Sequence, residues 1–343
     1  MAKTLLIDGN SIGYAAQQAT KLNANGMETQ AAFGIIKTLH KQRVQNPSFR
    51  PIVLWDGRAD WRFNLHPDYK SNRKDTPEKL QMKEAYAKQR PFIGNLLRHL
   101  GITQMTWKTA EADDLAGYLV GHMASQPDTE IGLISGDEDW LQLVRQTDRA
   151  KVWWCDPRGE TKLVTPATFY KHTGCLTPFA FLESKILQGD TSDVVSGVGG
   201  IGATGAPQFL AEFGSVREFW RRCDAGEFVP KLKAHKSLWS GTSPITLEEH
   251  MASAPPRDEG MDDKAYEKVL KKHRDTWPGQ GRLIYKRNFQ LMQLLHVSPP
   301  AKSDLEVIPG KFDKDAFADV CGELNFVSVL RKLDDFTQPF APK

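Results

Sequence analysis

The chain has little cysteine: four in 343 residues, at 155, 175, 223 and 321. They form no C-x-x-C pair and have no close histidine partner, which excludes a disulfide framework and a zinc ribbon and leaves a reduced, cytoplasmic chain as the expectation. Long hydrophobic runs are also absent. The opening Leu5-Leu6-Ile7 breaks at Asp8, too short for a signal peptide, and no window approaches a membrane span. Internal repeats and low-complexity tracts are missing. No excess of one charge is present either, with 45 Lys and Arg against 42 Asp and Glu and a formal charge of +3. At 40% hydrophobic and 25% charged the composition is globular, which excludes wholesale disorder. A near-neutral total can still hide two opposed clusters.

What is present begins with a rhythm of short apolar runs and longer helical patterns. Thr4–Ile7, Ile52–Trp55, Ile102–Trp107, Ile131–Ile134 and Lys151–Trp154 read as strands, mostly continuous rather than alternating, as a sheet covered on both faces requires. Ala31–Val44 and Ala112–Met123 carry helical periodicity between them. This order predicts an α/β fold with a mostly parallel sheet flanked by helices. The stretch 58–98 is long, polar and strand-free. Its basic residues Arg58, Arg62, Lys70, Arg73, Lys74, Lys79, Lys83, Lys88, Arg90 and Arg98 face only five acids, and a helix is expected between Glu78 and Leu100. After about Pro166 helical patterns take over, with an exposed loop at Ser237–Asp263 and helices at Asp262–Trp277, Gly281–His296 and Phe312–Leu333. Two domains are expected, 1–165 with the basic insertion and 166–343. The helices after Asp262 receive no role beyond completing the second.

Acidic residues fall where strands end. Asp8 follows the first strand, Asp56 the second, and Asp137 and Asp139 the fourth; Glu111, Asp113 and Asp114 open the Ala112–Met123 helix. In a parallel sheet these places share one rim, where ligand crevices form. Asp190 and Asp193 stand farther on, in Gly189-Asp190-Thr191-Ser192-Asp193. Any one of them could be a helix cap or turn residue. Capping does not explain four strand ends choosing carboxylates together. Carboxylates crowded on one rim need a counter-charge, and an oxygen-only donor set favours Mg²⁺, with Mn²⁺ as a substitute. A second signal is Gly197-Val198-Gly199-Gly200-Ile201-Gly202-Ala203-Thr204-Gly205, a glycine-rich turn between helical patterns that lets backbone N–H groups approach phosphate. It is not a P-loop, because no Gly-Lys-Ser/Thr follows and no strand precedes.

Together Ile7-Asp8-Gly9-Asn10-Ser11, Trp55-Asp56-Gly57, Tyr69-Lys70-Ser71-Asn72-Arg73, Glu111-Ala112-Asp113-Asp114, Ser135-Gly136-Asp137-Glu138-Asp139-Trp140 and Gly189–Asp193 resemble the structure-specific 5′-nuclease family: flap endonucleases, phage 5′→3′ exonucleases and the 5′-nuclease domain of bacterial DNA polymerase I. The resemblance runs from Leu5 to about Trp220. With no polymerase following, the chain looks like a standalone, phage-like enzyme, in a host cytoplasm if phage-encoded. The resemblance implies a PIN-like metal-binding core with a helical arch at 58–98 and a helix–hairpin–helix element near 186–212.

It also implies roles. Asp8, Asp56, Glu111 and Asp113 would hold one ion, with Asp113 reaching both. Asp137, Asp139, Asp190 and Asp193 would hold the second, and Asp114 is left as a ligand or an outer acceptor. Lys70 and Arg73 would balance charge on the scissile phosphate, with Lys74 beside them. Tyr69 would stack on a terminal base, its alternative being simple packing at the arch base. Gly197, Gly199, Gly200, Ile201, Gly202 and Thr204 would cradle a duplex backbone, with a monovalent cation such as K⁺ at the turn. The implied activity is Mg²⁺-dependent 5′→3′ exonuclease and flap endonuclease cleavage of DNA with 5′ flaps, nicks or free 5′ ends, RNA-primed ends included, leaving 5′-phosphates, by a monomer acting in replication and primer removal.

One departure stands out. The family commonly carries Lys or Arg just after Gly-Ile-Gly, where this chain has Ala203-Thr204. Arg217, Arg221 and Arg222 are the nearby candidates to replace that charge. A PIN-like ribonuclease would not need the arch or the glycine turn, and a silent DNA-binding module would not keep nine acids. Setting those nine aside leaves 33 of 42 acidic residues against 45 basic ones, an excess of twelve positive charges for a DNA-facing surface.

Overall fold

The computed structural model describes residues 2–19, 21–73, 76–158, 162–294 and 301–342. Lys74 and His296 lie outside them. The five expected strands form, as Ala2–Asp8, Arg50–Trp55, Thr103–Trp107, Thr129–Ile134 and Ala150–Asp156, and all pair in parallel. Numbered along the chain, their spatial order is 3-2-1-4-5. Leu5, Leu6, Val53, Leu54, Ile131 and Leu133 are fully buried, so helices cover both faces and each such side chain contributes about 2 kcal/mol.

Three antiparallel strands extend this sheet. Arg145–Gln146 and Lys162–Val164 flank Ala150–Asp156, and Leu305–Ile308 pairs with Thr103–Trp107. The last corrects the expectation that strands end near Pro166. Its four residues alternate weakly and are mostly exposed, the pattern of an edge rather than a buried strand. The loop expected at Ser237–Asp263 also contains the short helix Leu247–Ala252, started by a Thr246/Glu249 capping box. The helices Gln30–Gln45, Pro77–His99 and Ala112–Met123 match their periodicity.

The chain divides into two compact units. The first comprises 1–64, 73–173 and 294–343, and the second 65–72 and 174–293. The boundary therefore differs from a single cut near 165. Phe317 and Cys321, fully buried, and Phe336 and Phe340 pack into the same core as Ile35, Leu96 and Ile93, so the C-terminal segment belongs to the sheet unit. In the second unit, the helices Pro178–Gln188, Gly205–Phe213, Val216–Asp224, Lys233–Ser240 and Gly281–Met292 pack around Phe209, Phe213, Phe219 and Tyr285. A two-stranded hairpin, Gly189–Asp190 with Val195–Ser196, and the glycine turn separate the first two of these helices.

Candidate metal centre

Parallel strands place all their carboxyl ends on one edge, and the order 3-2-1-4-5 reverses between strands 1 and 4, where an open α/β sheet leaves its crevice. Asp8 ends strand 1, Asp56 follows strand 2, Glu111 caps the helix after strand 3, and Asp137 follows strand 4. The first unit thus gathers seven of the nine acids along this edge.

Hydrogen bonds from named donors hold four of these acids, Asp8, Asp56, Asp113 and Asp137. Asp8 caps the Gly9–Gln17 helix, accepting from Ser11 N at 2.8 Å, while its other oxygen accepts from the Ser135 hydroxyl at 2.8 Å. That buried hydroxyl also accepts from Asp137 N at 2.9 Å, so one serine ties the ends of strands 1 and 4 together. Asp56 accepts from Ala112 N at 2.9 Å and from the Asn10 amide. Asp113 accepts from the Trp140 indole at 2.6 Å. Asp137 accepts from Asp139 N at 2.8 Å. Gly9 is required beside Asp8, because a Cβ there would lie 2.2 Å from the Trp55 ring.

The electrostatics report crowding. Burial raises the Asp8 carboxyl to about 7, and Asp56 and Asp137 add to the rise against the opposing Ser11 and Ser135 bonds. Asp113 is raised well above the carboxylate range by burial, then by Asp137, Asp8 and Asp56, against the Trp140 bond. Among the described residues no three His, Cys, Asp or Glu side chains are drawn together in ligating geometry. Each of the four acids instead accepts from the donors named above.

Asp114 has a different task. Arg62 forks onto both of its oxygens at 2.6 Å, both residues are about 2% exposed, and Arg62 also lies 3.4 Å from Glu111. Asp114 and Glu111 close a capping box on the helix start. Both Asp114 oxygens are therefore taken by Arg62. Two residues of the basic insertion are likewise not surface charge: Arg62 is buried, and Arg90 stacks 3.5 Å over the Trp55 ring.

Asp190, Asp193, Tyr69 and Lys70 fall in the second unit. Lys70 has a left-handed backbone, φ 58°, an uncommon state for a lysine. Its N–H donates to Asp193 O at 2.9 Å and its Nζ lies 3.8 Å from Asp193 Oδ2. The Tyr69 hydroxyl donates to that carboxylate at 3.0 Å, and its ring is 5% exposed against Val195 and Leu291. The ring is packed here rather than open. Burial pushes Asp190 up, but the Ser192 hydroxyl, Lys185 and the Ser192 and Asp193 N–H groups hold it below the ordinary range. Arg73 is exposed, as are Gly199, Gly200, Gly202 and Thr204; Gly197 is half-buried and Ile201 buried.

Several residues escaped the sequence reading of roles: Ser135, Asn10, Trp140 and Arg62. The first three stand inside the quoted motifs, so adjacency to the acids was their only signal. Arg62 had none, because its partner lies 52 residues away.

Comparison with known proteins follows this geometry. A family model described as "5'-3' exonuclease, N-terminal resolvase-like domain" matches residues 3–174. The DNA polymerase I of Streptococcus pneumoniae (strain ATCC BAA-255 / R6) is 34% identical over 240 residues, covering 67% of this chain and 26% of the polymerase. The chain thus spans about a quarter of such polymerases' length. A 5'-3' exonuclease of Bacillus subtilis (strain 168) is 32% identical over 258 residues, covering 73% of this chain and 82% of the relative. A solved structure of the T5 5'-exonuclease with divalent metal ions (zinc) bound shares the fold, with a TM-score of 0.57 and 19% identity over 98% of both chains.

Proposed function

The chain belongs to the 5'-3' exonuclease family, and from that premise we propose that it is a divalent-metal-dependent 5′→3′ exonuclease and flap endonuclease. Its substrates are DNA with 5′ flaps, nicks or free 5′ ends, its products carry 5′-phosphates, and its setting is replication and primer removal. The observation that carries this reading is the set of Asp8, Asp56, Asp113 and Asp137. They come from three strand ends and one helix start, and burial and mutual repulsion raise two of them.

That donor set fits a hard cation. It offers oxygen alone, and the cost of burying like charges is relieved by a divalent ion. Mg²⁺ is the ion it favours, with Mn²⁺ as a substitute; a monovalent cation at the glycine turn is proposed on the motif alone. Asp8, Asp56, Glu111 and Asp113 would hold one ion, and Asp137 and Asp139 would serve the second. The assignment of Asp190 and Asp193 to that second ion rests on the sequence motif. Bound there, such ions supply Lewis acidity at the phosphate and an activated water.

The protein's own groups do the positioning. Ser135 fixes Asp8 and Asp137 relative to each other, while Ala112 N and Asn10 orient Asp56. Trp140 donates to Asp113 and so turns its free oxygen away from the indole. Such supporting bonds are worth about 10–100-fold in metal affinity or activity. Lys70 and Arg73 are assigned to the scissile phosphate, where cationic donors stabilise developing charge.

The test is cleavage of end-labelled 5′-flap DNA with Mg²⁺, against an EDTA control and the double variant Asp137→Asn/Asp139→Asn. Cutting should stop in EDTA and fall at least ~100-fold in the variant. A variant that cuts at the wild-type rate would overturn the assignment.

A further inference from the structure

The glycine turn Gly197–Gly205 carries no basic residue of its own, and the basic residues near it differ in how they are held. Of the candidates in the Val216–Asp224 helix, two are committed. Arg221 forks onto Glu218 at 2.8 Å and Glu227 at 2.9 Å. Arg222 lies over the Phe213 and Phe228 rings, 5.3 and 5.9 Å from their centres. Neither is disposed to answer a phosphate without giving up an existing contact.

The turn opens instead onto a cleft of about 800 Å³ within the second unit. Gly197, Gly199 and Gly200 form one side, and Lys231, Lys233 and Lys236 stand on the lining contributed by the Lys233–Ser240 helix and the residues before it. Gly200 has φ 86°, and a Cβ added to it would lie 3.1 Å from the Ala234 Cβ. The turn therefore packs directly on that helix, at the small residue between two of the lysines. All three lysines are exposed, and none makes an ion pair among the described residues. One acid, Asp275, shares the lining. Lys233 and Lys236, three apart on a helix, project from neighbouring positions on its surface.

We propose that this cleft binds the phosphodiester backbone of duplex DNA, with Lys231, Lys233 and Lys236 supplying the positive charge that Ala203 does not. The proposal rests on the nuclease reading and extends it, moving the electrostatic part of duplex holding from the turn to the helix beneath it. The chemistry suits a backbone rather than a base. Mobile ammonium groups act as point charges on phosphate oxygens, and the exposed N–H groups of a glycine turn add donors without reading sequence.

The experiment is a salt titration of binding by the full chain to a labelled duplex, in EDTA so that no cutting intervenes. A Lys231→Gln/Lys233→Gln/Lys236→Gln variant should bind at least about tenfold more weakly at moderate salt. Its slope of log affinity against log salt should shrink by about two to three, one lost phosphate contact contributing about 0.9. Arg221→Gln/Arg222→Gln should leave the slope as in wild type. An unchanged slope in the triple variant, with its melting temperature intact, overturns the proposal. If the triple variant does not fold, the three single Lys→Gln variants read the same slope in steps of about one. Flap cleavage by the wild-type protein tests the nuclease reading separately, so failure of either is distinguishable.

Discussion

Arg62 and Asp114 show how much of the site depends on residues that would touch no substrate. Their two-pronged pair is buried, and it sits at the start of the helix that also presents Glu111 and Asp113. Removing one partner leaves a desolvated charge, which costs far more than the pair contributes. Arg62→Ala is expected to lower stability by about 3–5 kcal/mol, while Arg62→Met/Asp114→Leu recovers most of that loss. Urea unfolding of the three proteins measures both. A single variant within about 1 kcal/mol of wild type would mean that Asp114 is solvated rather than paired. None of this was legible from Arg62 in the sequence, where it counted as one more positive charge in a basic stretch. Trp140, by contrast, stood one residue from Asp139, and only its indole's reach back to Asp113 was hidden.

Among the elements, the five parallel strands were legible because a doubly covered strand must be apolar along its whole length, and that signal is local. The edge strand Leu305–Ile308 was not, since half its surface faces water and it has Glu306 in the middle. It nevertheless closes the open side of Thr103–Trp107, and the helices after it bury Phe317 and Phe336 in the core of the sheet unit. A chain ending at Leu294 should therefore lose cooperative unfolding and bind a hydrophobic dye, because it uncovers both a strand edge and an aromatic face. Melting with dye fluorescence decides this, and a truncated chain that melts like the full one would make the segment an appendage. Lys70 and Val194 carry positive φ, 58° and 59°, in segments joined by the Lys70 N–H to Asp193 O bond. A long-range clamp is what maintains backbone states that lysine and valine disfavour by themselves.

For the whole molecule, the acidic edge couples stability to cations. A carboxyl raised to about 7 when folded binds its proton more tightly than in the unfolded chain. That stabilisation is complete below the ordinary range near 4 and is lost as pH rises through about 7. The metal-free protein should thus weaken between those values, and a divalent cation should restore it by replacing the protons. The Mg²⁺-dependent rise in melting temperature is expected to be larger at about pH 8 than at about pH 5.5, and to vanish in EDTA. A rise of equal size at both values would remove the buried acids from the account.

The near-neutral net charge of +3 is then the sum of an acidic edge and a basic remainder, a division the sequence by itself determined. It also determined the parallel α/β core and the acids at its strand ends, because strand burial and chain order act over a few residues and the carboxyl edge follows from parallel pairing. Only the tertiary structure decided which charges are spent internally. Arg62 is buried, Arg90 is laid over the Trp55 ring, Tyr69 is packed rather than open, and the turn without its own basic residue rests on a helix bearing two lysines, with a third just before it. Each of those outcomes joins residues tens of positions apart, and no local period or spacing records such a pairing.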